Sequence, residues 1–310
     1  MKKFISKISF FFALPVALYL MLIALGPETF HHSIYDKHKL LKETVYEKRV
    51  VLVGGSNVMM GAFSPKIEEE LNLKVINTAI AGGYGLKYIL DDVLPYLTKD
   101  DVVIIIPEYD NFYNDFFYRG SMSLLRSLET YPKNIKKLNL KQLRLVLNDV
   151  PNSFTDKLLF CKKSMFGTLN KNIYLRSSFN ENGDFVAHWG KENKSNLALT
   201  KIDSNYVYNQ TTIEYIEQFK NSLPKGVELY LSYPSFSKSS YLKAEKQIEK
   251  VSKVFEKSKI PILGSTVRYC FNDSLFFDTR YHLNYNGQVL RTQYLIQDLK
   301  SRLTTKPKLH

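Results

Sequence analysis

The chain has 310 residues, 45% hydrophobic and 14% aromatic, enough to bury one full core with a subdomain attached. Its formal net charge of +13 comes mainly from lysines spread along the sequence. With no basic helix, zinc spacing or stacking motif beside it, that charge argues against a nucleic-acid binder and suits an anionic membrane surface or polymer. The two cysteines, Cys161 and Cys270, lack zinc-ligand spacing, which argues against a structural metal site; an oxidising compartment would permit a disulfide between them.

In chain order, Lys2, Lys3 and Lys7 precede Ile8 to Gly26, a stretch without a charge. A run of roughly 18–20 apolar residues crosses a bilayer core as a helix. Residues 1–27 therefore read as a single-pass anchor, with the lysines keeping the N-terminus in the cytoplasm and the main domain periplasmic or extracellular. Cleavage after Ala24-Leu25-Gly26 is the alternative. Residues 28–47 read as a juxtamembrane linker with some helix, in which His31-His32 is incidental.

From residue 48 strands and helices alternate. Arg49–Val53 is a short β-rich apolar run, Ser64–Leu71 a helix with Pro65 in its first turn, and Lys74–Asn77 a second strand. Tyr84–Leu97 is an amphipathic helix opening after Gly82-Gly83, and Asp101–Ile106 is apolar on both faces, as a central parallel strand should be. Leu124–Leu128 and Ile135–Leu147 have helical spacing. Pro151 to Asn209 has no clear period and belongs to an insertion or cap over about 112–210. Thr212–Leu223 (helix), Val227–Leu231 (strand), Tyr241–Ser258 (helix), Ile260–Leu263 (strand) and Asn284–Leu303 (helix) follow, and residues 304–310 are a tail. This order predicts an α/β fold, with a parallel sheet between two helical layers. Ligands bind such sheets beyond the C-terminal strand ends. Ser56, Gly82 and Pro107–Asn111 all fall there.

Serine is a weak nucleophile that needs an adjacent base, and the base needs an orienting group. Gly54-Gly55-Ser56-Asn57 ends the first strand, and Asp278-Thr279-Arg280-Tyr281-His282 stands before the last helix. Ser56 is thus either a nucleophile or the cap of the next helix. His282 is its base or a structural histidine. Asp278 orients that base, caps the final helix or pairs with Arg280. Glu108 and Asp110 orient substrate hydroxyls, ligate a metal or pair with lysines. Gly82-Gly83-x-Gly85 lacks the lysine of a phosphate-binding loop and reads as turn chemistry.

These blocks resemble the SGNH (GDSL-like) hydrolase family, which includes esterases and carbohydrate O-acetyl transferases and deacetylases. Gly54-Gly55-Ser56-Asn57 stands where the family has Gly-Asp-Ser. Asn77-Thr78-Ala79-Ile80-Ala81-Gly82 matches its Asn-x-x-x-x-Gly block, and Pro107-Glu108-Tyr109-Asp110 replaces its Gly-x-Asn-Asp. Asp278 to His282 is one residue longer than its Asp-x-x-His. The resemblance covers about residues 48–110 and 225–303. It implies a three-layer α/β/α flavodoxin-like fold and a Ser56, His282, Asp278 site. The backbone N–H groups of Ser56 and Gly82 would face the oxyanion, with Asn57, Asn111 or Tyr109 as the third donor. Glu108, Tyr109, Asp110 and Arg280 would meet substrate. It also implies an ester hydrolase or O-acyl(acetyl)transferase on a cell-envelope or exported polysaccharide, working without cofactor or metal, and a membrane acyl-donor protein if it transfers. The alternative is an inactive scaffold binding polysaccharide or an assembly partner. Trp189, Tyr206 and Tyr208 either stack on sugar rings or pack the cap's own core.

Overall fold

A computed structural model describes residues 2–166, 172–193 and 206–304, with side chains from residue 13 to residue 302. Strands β1 (Arg49–Gly54), β2 (Lys74–Asn77), β3 (Val102–Ile106), β4 (Glu228–Ser232) and β6 (Ile262–Leu263) form one parallel sheet in the order β2-β1-β3-β4-β6. Counted within the sheet this is 2-1-3-4-5, the flavodoxin-like doubly wound order. A short parallel pair, β5 (Phe236–Ser237) with β7 (Cys270–Phe271), lies apart from it.

Alternation along the strands divides the core into two layers. Val51, Val53, Val103, Ile105, Leu229 and Leu231 face one cluster, while Val50, Leu52, Val102, Ile104 and Tyr230 face the other. The first is covered by helices that include α2 (Ser33–Glu43), α5 (Leu86–Val93), α6 (Ser123–Thr130), α8 (Thr211–Asn221) and α9 (Lys238–Lys257). The second lies under α4 (Ser64–Leu71) and α10 (Tyr285–Thr304). All six β1 residues are buried, and after Arg49 the strand reads as a continuous apolar run.

Several boundaries differ from expectation. Residues 28–47, expected as a linker with some helix, pack against the domain through that helix. Helix α2 buries Ile34 and Leu41, and its Lys37 ammonium donates to the carbonyls of Asn77, Ala79 and Gly183. His31 is buried too, with Nδ1 hydrogen-bonded to the Tyr84 hydroxyl at 2.8 Å. The expected helix Tyr84–Leu97 breaks into a 3-10 turn, α5 and a second 3-10 turn, because Gly85 at φ 81° and Pro95 interrupt it. Helix α7 (Leu140–Met165) begins at the Asn139–Gln142 capping box and runs through Pro151 into the region expected to be irregular. Arg126 and Lys157 converge on Glu129 beneath it, and buried Val146 and Ser153 face inward, so packing offsets the backbone bond that proline forfeits.

Helix α1 (Lys2–Ala24) holds the apolar run. Among the described residues no helix is long and apolar enough to cross a membrane, and residues 2–12 of the expected span lie outside those with described side chains. From residue 13, Leu14, Val16, Leu20, Met21 and Leu25 are exposed, while Tyr19 hydrogen-bonds Glu129 and Ser153. Both cysteines are free.

Candidate active site

Three adjacent strands deliver the site at their C-terminal ends, on both sides of the point where the strand order reverses. β1 ends at Gly54, and Gly55 caps the four-residue helix α3 (Ser56–Met59). Because Gly55 is the cap, the Ser56 hydroxyl is spared from capping and donates to Glu108 Oε1 at 3.3 Å. β3 ends at Ile106, and Glu108 caps the 3-10 turn Tyr109–Phe112. β2 leads through Asn77 to Gly82. Asn77 shapes that loop, since its Nδ2 donates to Val58 O and to buried Asp184, and its Oδ1 accepts from Ala79 N–H.

The Glu108 carboxyl occupies a seat made by two glycines. A Cβ on Gly82 would fall 2.3–2.6 Å from the carboxyl atoms, and one on Gly55 2.7 Å from Oε1. Asn57 N–H donates to the same Oε1 at 3.4 Å. Burial, and then the charge of Asp110, push the Glu108 carboxyl above the usual carboxylate range; the nearby His282 and the bonds from Asn57 and Ser56 oppose that shift. Asp110 is itself compensated, because Arg280 Nη2 donates to both its oxygens at 2.6 and 2.8 Å.

The segment 278–282 closes on itself. Phe277 N–H donates to His282 O, and the Thr279 hydroxyl accepts from the N–H groups of Tyr281 and His282. This turn absorbs the extra residue in the Asp-to-His spacing. His282 Nδ1 is 2.7 Å from Asp278 Oδ1, which fixes the tautomer with Nε2 as the acceptor. Asp278 Oδ2 accepts from the Tyr174 hydroxyl at 2.7 Å. Behind the pair, His188 is buried, stacks on Phe185 and is pushed down to about 4, mainly by burial.

Ser56 thus contacts Glu108, and the Asp278–His282 pair lies near enough for His282 to act on the Glu108 carboxyl, although Ser56 Oγ bonds Glu108 rather than His282. Other expectations fail on geometry. Asn111 is not an oxyanion donor: its Oδ1 accepts from Glu108 N–H and its Nδ2 faces Phe116 O. The Asn57 side chain is likewise spent, between Gly55 N–H and Ile106 O. Tyr109 is neither donor nor substrate contact, because it is buried edge-on against Phe236 in the core. Asp278 does not cap the last helix, which starts at Tyr285. Trp189 donates to Gln288 and packs edge-on against Phe63 and Tyr285, while Tyr206 and Tyr208 lie beside Tyr113. No group of three His, Cys, Asp or Glu able to hold a metal occurs among the described residues.

Sequence reasoning missed Tyr174, in a segment without periodicity, and the direct Ser56–Glu108 contact. The glycines at 55 and 82 were the available signal for the latter, since both give up a side chain where the carboxyl lies. No family model, curated protein or solved structure matches this chain, so its functional reading rests on the residues themselves.

Proposed function

We propose that this chain is a membrane-anchored ester hydrolase or O-acyl(acetyl)transferase of SGNH type. It would act outside the cytoplasmic membrane on acyl esters of a cell-envelope or exported polysaccharide. The observation that carries the reading is the Asp278–His282 pair, held at 2.7 Å, whose imidazole lies close enough to act on the Glu108 carboxyl that Ser56 Oγ bonds. Ser56 Oγ attacks the acyl carbonyl as its proton passes to His282 Nε2. Asp278 stabilises the resulting imidazolium, and the leaving alcohol takes the proton back. Water or an acceptor hydroxyl then releases the acyl group from Ser56 by the reverse steps. Transfer away from the cytoplasm also requires an activated acyl group delivered across the membrane, so a membrane donor protein is the expected partner of a transferase. Exposed apolar side chains from Leu14 to Leu25 support the anchor, since lipid is the environment that would cover them.

A silent SGNH-like scaffold is the second reading, favoured by the engagement of Ser56 Oγ with Glu108 instead of His282. Hydrolysis of a small activated acetyl ester by the purified chain, beside Ser56→Ala and His282→Ala, separates the two. Turnover lost in both variants supports the enzyme. Equal rates in all three, or none in any, turn the reading towards the scaffold.

A further inference from the structure

We propose that the Glu108 carboxyl, in its neutral acid form, is an oxyanion-hole donor of this site, presenting its O–H to the oxygen that becomes charged when Ser56 attacks. The inference rests on the acyl-transfer reading above and deepens it.

Side-chain donors are scarce at this site. A tetrahedral intermediate on Ser56 needs hydrogen bonds aimed at its oxyanion, and each is worth on the order of 100–1000-fold in rate. The side-chain amides nearby are engaged elsewhere: Asn57 Nδ2 on Ile106 O, Asn77 Nδ2 on Val58 O and Asp184, and Asn111 Nδ2 towards Phe116 O. Tyr109 is enclosed in the core. Glu108 alone among these reaches the serine, and its Oε1 already lies within 3.3 Å of Ser56 Oγ and 3.4 Å of Asn57 N.

The position is built. Neither Gly55 nor Gly82 could carry a side chain without striking the carboxyl or the backbone beside it. Two strand ends thus hold space open for one carboxyl group next to the nucleophile.

Its protonation state decides what it does. An ionised carboxylate in this seat would repel the developing oxyanion and hold the serine hydroxyl through an acceptor. A neutral carboxyl has a donor to offer, as with carboxylic acids kept protonated in apolar sites. The charged and titratable groups around Glu108 are Asp110 on its own segment and Arg280, Tyr281 and His282 on the facing loop. Arg280 is bonded to Asp110. During attack the Oγ–C bond forms, the Ser56 proton moves to His282, and the carbonyl π pair moves to oxygen. Glu108 keeps its proton and shares it as a hydrogen bond. Collapse breaks the bond to the alcohol, which leaves with the proton from His282.

The test uses the full chain in detergent and a fluorophosphonate, whose phosphonyl oxygen occupies the oxyanion position once the serine is modified. Labelling is followed by intact mass against pH, with thermal melts of every variant. Wild type should label at Ser56, Ser56→Ala should not, and the wild-type rate should fall on the alkaline side as Glu108 ionises. Glu108→Gln keeps an N–H donor that does not titrate, so it should retain the rate within about tenfold and lose the alkaline fall. Glu108→Ala should label about 100–1000-fold more slowly than wild type on the acid side of the alkaline fall, and show no such fall itself. Glu108→Ala labelling as fast as wild type overturns the proposal, as does a wild-type rate with no alkaline fall, a result that needs no variant to fold. In either case Ser56-specific labelling leaves the acyl-transfer reading standing. No labelling of wild-type Ser56 overturns both.

Discussion

The Tyr174 hydroxyl donates to Asp278 Oδ2 at 2.7 Å while Asp278 Oδ1 holds His282 Nδ1 at the same distance, so a residue of the inserted region fixes the carboxylate that fixes the imidazole. Tyr174 is in turn tied to the N-terminal segment, as Phe30 N–H donates to its carbonyl and the two rings meet edge-on. A hydrogen bond to a charged group contributes about 1.5–3 kcal/mol. Tyr174→Phe should therefore lower kcat by about tenfold with KM little changed. Asp278→Asn, which removes the acceptor that sets the tautomer, should cost about 10,000-fold. Steady-state kinetics on an activated ester check both. A Tyr174→Phe variant with wild-type kcat would show that Asp278 is positioned without it.

The glycine seat makes a prediction about stability as well as rate. Gly82→Ala puts a methyl into the Glu108 carboxyl and should destabilise the fold by about 1–3 kcal/mol, the usual cost of overpacking. In a Glu108→Ala background the obstacle is gone, so the same substitution should cost markedly less, a coupling that urea denaturation of the four proteins measures. Equal cost in both backgrounds would mean that the carboxyl is not what fills the space. Gly55→Ala should not be rescued in this way, because its methyl also meets the Gly82 backbone at 2.5 and 2.9 Å.

The parts of this molecule legible in the sequence are those fixed by local pattern. Residues 50–54 and Val102–Ile106 are apolar on both faces because helices cover both, and their ends point directly to Ser56 and Glu108. The pairing of Asp278 with His282 was legible as two residue types near one another before a final helix. What was not legible depends on distant segments. Helix α7 runs on through Pro151, beyond the expected Ile135–Leu147 helix and into the stretch expected to be irregular, because Glu129, from another helix, gathers Arg126 and Lys157 beneath it. Helix α2 looks like polar linker because its anchoring groups are Lys37 and His38 rather than a long apolar stripe. Asn111 and Asn57 read as donors from sequence because no pattern reveals the backbone groups that take their amides.

Buried His31 gives the fold an acid limit. Burial holds it neutral, down to about 3 from an ordinary 6.5. Between those values the unfolded chain binds a proton that the folded chain refuses, so stability rises with pH across the interval and is lost as pH falls from 6.5 towards 3. His188, down at about 4, adds to the same slope. His31→Gln should flatten part of this dependence in denaturant titrations between pH 3 and 7, while lowering stability at neutral pH by disturbing the bond to Tyr84. An unchanged slope would mean that His31 titrates normally in the folded protein.

Arg49 joins helix α2 to the sheet, and this makes the segment before β1 part of the folding unit. Its guanidinium donates to both oxygens of Asp101 at 2.8 and 3.2 Å, to Leu41 O and Thr44 Oγ1 at the end of α2, and to Tyr96 O, with neither partner of the ion pair exposed. Removing one member of such a pair strands the other without water, so Asp101→Ala or Arg49→Ala should each cost about 3–5 kcal/mol, and the double variant less than their sum. The same bonds predict the fate of fragments. One starting at residue 48 loses Leu41 and Thr44 as acceptors, the three carbonyl bonds of Lys37 and the buried side chains of Ile34 and Leu41. It should fail to show a cooperative thermal transition by circular dichroism, whereas one starting at residue 27 should melt as a unit. If the shorter fragment melts at the same temperature as the longer, α2 is dispensable and the Arg49 bonds to it contribute nothing to the fold.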